Sequence, residues 1–117
     1  MLVKLEGLDF FAHHGVYDEE REIGNKYTVS IELQLDGELG FLSDDLRNTI
    51  NYEEVYRLVH DVMCRPKKLL ETLAAEINQR ALEQFELAQL VRTTVSKHNP
   101  PIKGVCARAT IVHESRR

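Results

Sequence analysis

Lys97 stands in "VSKHNPPIKG" at a position where an apolar strand face ought to continue. A lysine there can reach water along its four-carbon stem, or it can be held in place to carry protons. The residues that follow raise the second reading. Pro100 and Pro101 each fix φ and lack an N–H, so this stretch cannot extend a strand ladder and should form a stiff, partly extended loop. Gly104 can then adopt the dihedrals that the turn back requires. A stiff support keeps an amine where proton transfer needs it. Glu71 lies beside Leu70 near the start of a helical stripe, about 100° around from it. A carboxylate there is stabilised by the helix dipole and can accept two parallel N–H donors from a planar, guanidine-like heterocycle. Tyr52 follows Asn51 in "TINYEEV", and its phenol can pad a core or pack against a ring and pass a proton. Glu22 lies in the charged run "YDEEREIGNKY", where pattern alone does not separate it from Glu19 or Glu20.

These residues need elements to hold them. In "KYTVSIELQL", Tyr27, Val29, Ile31, Leu33 and Leu35 alternate with polar residues, which predicts a strand with one buried and one wet face. "LVKLEGLDFFAHHG" reads as an earlier strand whose alternation breaks around Gly7, as at a bulge. The charged run between them reads as a solvated hairpin loop. After "LQLDGELG" the chain turns polar and leads to Asn51, with Glu54 three residues later in the manner of a capping box, so a helix starts there. Val55, Leu58, Val59 and Val62 continue it at helical spacing, and Pro66 ends it. Leu70, Leu73, Ala74, Ile77, Ala81 and Phe85 mark a second helix. Val91, Thr93, Val95 and Lys97 then share one strand face, and Val105, Ala107, Ala109 and Ile111 another. The order implies an α+β domain: an antiparallel four-stranded sheet, with two helices inserted between the β-hairpins and packed on one face. Such a sheet has two open edges, so pairing with sister subunits into a closed ring is expected.

The 117 residues suffice for a single domain, 1–117, around one core. A net charge of -4, with fifteen Lys and Arg residues spread along the chain, argues against a nucleic-acid partner. No apolar stretch approaches the ~20 residues of a membrane span, and "MLVKLEGLDF" shows no secretory pattern, so a cytoplasmic protein is expected. Cys64 and Cys106 lack metal or redox spacing and read as reduced thiols. Of the five histidines only His13 and His14 form a close pair, and neighbours on a strand point to opposite faces, so both read as structural.

Together "FFAHHGVYDEEREIGNKY", "NTINYEEVY", "LLETLAAEI" and "SKHNPPIKG" resemble the dihydroneopterin aldolase family, in its order and near its spacing. The resemblance implies the tunnelling fold and a small-molecule pterin substrate, 7,8-dihydroneopterin. It would be cleaved to 6-hydroxymethyl-7,8-dihydropterin and glycolaldehyde in folate biosynthesis, with epimerisation to 7,8-dihydromonapterin alongside. It also implies Lys97, Tyr52 and Glu22 as catalytic residues, with Glu71, Leu70, Asn51, Tyr52 and Glu22 binding substrate. No cofactor or metal is expected, because a dihydropterin carries its own C=N electron sink and needs neither a lysine Schiff base nor zinc. The family further suggests a homo-octamer of two tetrameric rings, with Tyr52 entering the site of an adjacent subunit. Two departures stand out: Lys103 precedes Gly104 where the family commonly has proline, and Asn51 stands where Thr or His is frequent. The alternatives left open are a dihydroneopterin triphosphate epimerase, a zinc-dependent enzyme of the same fold and a non-catalytic pterin-binding ring protein.

Overall fold

The computed structural model describes residues 1–37 and 41–117, so the end of "LQLDGELG" lies outside the described residues. Strands β1 (Leu2–Ala12), β2 (Asn25–Leu35), β3 (Ala88–His98) and β4 (Arg108–Arg116) form one antiparallel sheet in the order β1-β2-β3-β4. The predicted interruption in β1 is a register shift between Leu5 and Leu8, where Gly7 has φ +70° and donates its N–H to Ser30 Oγ at 3.0 Å. A positive φ of this size is what glycine tolerates and a β-branched residue does not. On β2 the alternating residues from Tyr27 to Leu35 are buried as expected.

Helices α2 (Tyr52–Met63) and α3 (Leu70–Gln84) cover one face of this sheet. Asn51 caps α2, its side chain accepting from Glu53 N–H at 3.0 Å. Val55, Leu58, Val59 and Val62 face inward, as do Leu73, Ala74, Ile77 and Ala81 on α3. The α+β architecture of the sequence reading is thereby observed, with the helices between the two hairpins and on one side of the sheet.

Two elements differ from expectation. The charged run before β2 contains a short helix, α1 (Asp18–Ile23), which has no buried residue and therefore no apolar stripe to reveal it. β4 begins at Arg108 rather than near Val105, because the double proline carries the chain away from β3 until Asn99 N–H meets Ala107 O at 3.0 Å. Val105 is fully exposed in this loop, so its apparent alternation with Ala109 was not a strand pattern.

Within the core, Asn78 of α3 joins helix to sheet. It accepts the Thr93 hydroxyl at 2.6 Å and donates to His113 O at 3.0 Å and Ser115 Oγ at 3.2 Å. A buried network of this kind is costly to break in part, because the remaining groups are left unpaired. Asn78→Ala is therefore expected to lower the unfolding free energy by about 2–4 kcal/mol in urea titration, with Thr93→Val the milder of the two.

Candidate active site

Lys97 lies near the end of β3 on the face that packs against the helices, and the residue is only 8% exposed. Two contacts hold it there. The cross-strand partner in β2 is Tyr27, fully buried, whose ring centre lies 5.9 Å from Nζ. Nζ donates to Glu20 Oε1 at 2.9 Å, closing the ion pair from the α1 side. Pro101, in the double-proline loop that follows β3, lines the same pocket as Lys97.

Glu20 is itself held on several sides. Its second oxygen accepts Tyr17 N–H at 3.2 Å. Arg21 braces the turn before α1 by donating to Gly15 O at 2.7 Å and Val16 O at 2.9 Å. Gly15 has φ +153°, and a Cβ there would collide with the Glu20 carboxylate, so only glycine admits this approach. Burial acts to raise the Glu20 carboxyl, but the Lys97 ammonium and the Tyr17 and Val16 backbone outweigh it and hold it below the usual carboxylate range. The Tyr27 hydroxyl donates to His14 O at 2.8 Å, and burial with the nearby Glu20 charge pushes it up to about 12, so it stays a phenol.

Around this pair opens a pocket of ≈ 270 Å³ lined by Glu19, Glu20, Ile23, Asn25, Lys97 and Pro101, among others. Asn25 is fixed in its wall by donating to His98 O at 2.7 Å. An ammonium and a carboxylate in contact in the lining of a concave, mostly apolar space can exchange protons with a polar ligand and orient its hydroxyl groups.

The sequence-predicted residues distribute unevenly over this geometry. The carboxylate at Lys97 is Glu20, two positions from the expected Glu22. On a helix that offset is about 200°, and Glu22 is accordingly exposed on the other side of α1. Tyr52 is 62% exposed and lines a separate pocket of ≈ 480 Å³ with Leu5, Leu8 and Tyr56, so within one chain it does not meet Lys97. Leu70 is partly buried and Glu71 exposed, in the first turn of α3, and the side chain of Asn51 serves the α2 cap. Sequence reasoning missed Tyr27 and His14 as parts of the site, because their alternation and pairing read as structural. Among the described residues, no group of three or more His, Cys, Asp or Glu side chains is arranged to share a metal ion.

His14 is 1% exposed, edge-on to Tyr27 with ring centres 5.1 Å apart, and its Nδ1 accepts Lys67 N–H at 3.0 Å. Gly15 N–H returns a bond to Lys67 O at 2.9 Å. Burial, with the Lys97 ammonium adding to it, outweighs the raising effect of the Met63 backbone and lowers His14 from 6.5 to about 4.

The family description "FolB: Dihydroneopterin aldolase" matches residues 3–114. The dihydroneopterin aldolase of Bacillus subtilis (strain 168) is 39% identical over 103 residues, covering 87% of this chain and 86% of that protein. That of Staphylococcus epidermidis (strain ATCC 12228 / FDA PCI 1200) is 34% identical over 104 residues, covering 88% and 86%. The crystal structure of E. coli dihydroneopterin aldolase in complex with neopterin is similar to this chain with a TM-score of 0.88 and 26% identity, covering 98% of each chain.

The buried imidazole gives a pH signature. Above pH 6.5 it is neutral in both folded and unfolded chains, whereas between 6.5 and about 4 only the unfolded chain takes up the proton. Stability should fall across that window, and Glu20 should add a further loss as its depressed carboxyl protonates at lower pH. An NMR titration of His14 is expected to show a midpoint near 4, and an ordinary imidazole midpoint would contradict its burial as a neutral acceptor.

Proposed function

The chain belongs to the dihydroneopterin aldolase (FolB) family, and from that footing we propose that the Lys97–Glu20 pair is the reaction centre for cleavage of 7,8-dihydroneopterin. The enzyme is a carbon–carbon lyase that releases 6-hydroxymethyl-7,8-dihydropterin and glycolaldehyde. The observation that carries the assignment is the largely buried ammonium–carboxylate contact of 2.9 Å in the lining of a pocket.

A retro-aldol step removes the proton of the side-chain hydroxyl, breaks the adjacent C–C bond and sends its electron pair into the ring C=N unit. Lys97 enters as an ammonium, gives its proton to the ring nitrogen and receives the hydroxyl proton, so that it ends each cleavage in the state in which it began. Glu20 keeps the amine aimed and orients the diol, the role the sequence reading had given to Glu22. The resulting enol is then protonated at carbon, which Tyr52 of a neighbouring subunit would do, while the ring nitrogen gives up its proton, which returns through water to the phenolate and restores the C=N unit. Glu71 would anchor the pterin through its amino and amide N–H groups. Leu70 would pack on the ring, and Asn51 would place Tyr52 at the start of α2.

Sites shared between subunits fit the surface of the chain. β1 and β4 are sheet edges whose outer backbone groups pair with no other strand among the described residues. Phe11, Val16 and Ile23, all near the pocket, are 69%, 56% and 74% exposed. Bare edges and apolar rims call for cover, which edge-to-edge rings would supply. The reading is a cytoplasmic homo-octamer of two stacked tetrameric rings.

Incubation with 7,8-dihydroneopterin should release glycolaldehyde and 6-hydroxymethyl-7,8-dihydropterin in equal amounts; their absence would remove the assignment. Glu20→Gln should lower kcat by about 10²-fold or more, whereas Glu22→Gln should stay within about threefold of the wild type. Mixed rings of Tyr52→Phe and Lys97→Ala subunits should regain part of the activity each lacks alone, and verified mixed rings with none would refute a shared site.

A further inference from the structure

Lys67 is tied at both backbone groups to the segment that precedes α1. Its N–H donates to His14 Nδ1 at 3.0 Å, and its carbonyl accepts Gly15 N–H at 2.9 Å. Three residues later the chain enters α3 at Leu70 and Glu71. The carbonyl of His14 also accepts the hydroxyl of Tyr27, the residue beneath Lys97. One buried residue thus joins the floor of the lysine site to the connection that sets the start of α3. Because Nδ1 accepts, the proton of the neutral ring sits on Nε2, which makes no hydrogen bond of ordinary geometry among the described residues, although the Met63 backbone lies close enough to favour a proton on the ring. A buried polar group without a partner is a cost, and a phenyl ring would fill the same space without it. The one hydrogen bond of ordinary geometry that the ring makes among the described residues is therefore the one it accepts from Lys67 N–H.

We infer that His14 is a positioning residue for substrate: its Nδ1 holds the backbone at Lys67 and thereby fixes where the Leu70–Glu71 turn meets the pterin. The inference rests on the reading of Glu71 as the pterin anchor. Since the His14 ring hydrogen-bonds the anchor side of the site, whereas toward the lysine side it makes only an edge-on contact with Tyr27, itself held by the His14 carbonyl, replacing the side chain should affect binding more than chemistry.

Two variants separate positioning from packing. In His14→Asn the side-chain oxygen falls where Nδ1 was, whereas in His14→Gln the polar group reaches the Nε2 place and the volume is better filled. With neopterin as the binding probe and 7,8-dihydroneopterin as substrate, His14→Gln should raise Kd and KM about tenfold, the loss of one hydrogen bond's worth of placement. Its kcat should stay within about threefold, and Lys67 N–H should exchange faster with solvent. His14→Asn should keep Kd, KM and Lys67 protection close to wild type despite its smaller volume. A purely structural role predicts the reverse order, and either that order or an equal loss of kcat in both variants would overturn the inference. Glu71→Ala measured alongside assigns any failure. If it binds neopterin as well as wild type, the anchor reading falls and takes this inference with it; if it loses affinity while His14→Gln does not, the positioning role alone is wrong.

Discussion

The contact on which the site depends is one ammonium against one carboxylate, largely out of water. Such a pair is costly to assemble, and leaving either member alone costs more, because a lone buried charge has nothing to offset its lost hydration. The surrounding structure meets that demand from several directions. The β2–β3 register brings Tyr27 opposite Lys97. Gly15 leaves room for the Glu20 carboxylate, and the Tyr17 N–H occupies its second oxygen. Arg21 fixes the turn from which α1 starts. Together these contacts aim a carboxylate from a six-residue helix with no buried residue at the lysine.

Much of the fold was legible because period and burial coincide. Alternation from Tyr27 to Leu35 and the spacings of α2 and α3 report which side chains leave water, and the core is built from those residues. Lys97 was legible for the opposite reason, as a charge on an apolar face followed by prolines. Glu20 was not. α1 carries Asp18, Glu19, Glu20 and Glu22 with no apolar residue buried, so nothing in the run marks which carboxylate turns inward. Only the helical phase decides it, and that phase is set by Gly15 and Arg21 rather than by hydrophobicity. The start of β4 was misplaced in a similar way, since Val105 and Ala107 alternate with polar neighbours while lying in a loop that two prolines hold off the ladder.

The chain brings together the lysine and its carboxylate but leaves Tyr52 and Glu71 facing outward, away from that pocket. For a small domain this division has a physical logic. A single core of this size leaves little room to enclose a bicyclic ligand, whereas the junction between two copies offers walls from both. In the proposed rings, the same exposed edges and apolar side chains that would make a lone chain prone to association would be the surfaces that complete the site.

The central claim is that Glu20 and Lys97 act as one unit in the reaction. Its most direct test is a double-mutant cycle on kcat/KM for 7,8-dihydroneopterin with Glu20→Gln, Lys97→Met and the combined variant. The account predicts strong non-additivity, with the double variant scarcely slower than the slower single one. Losses that simply multiply would show that the two residues act independently, and would contradict it.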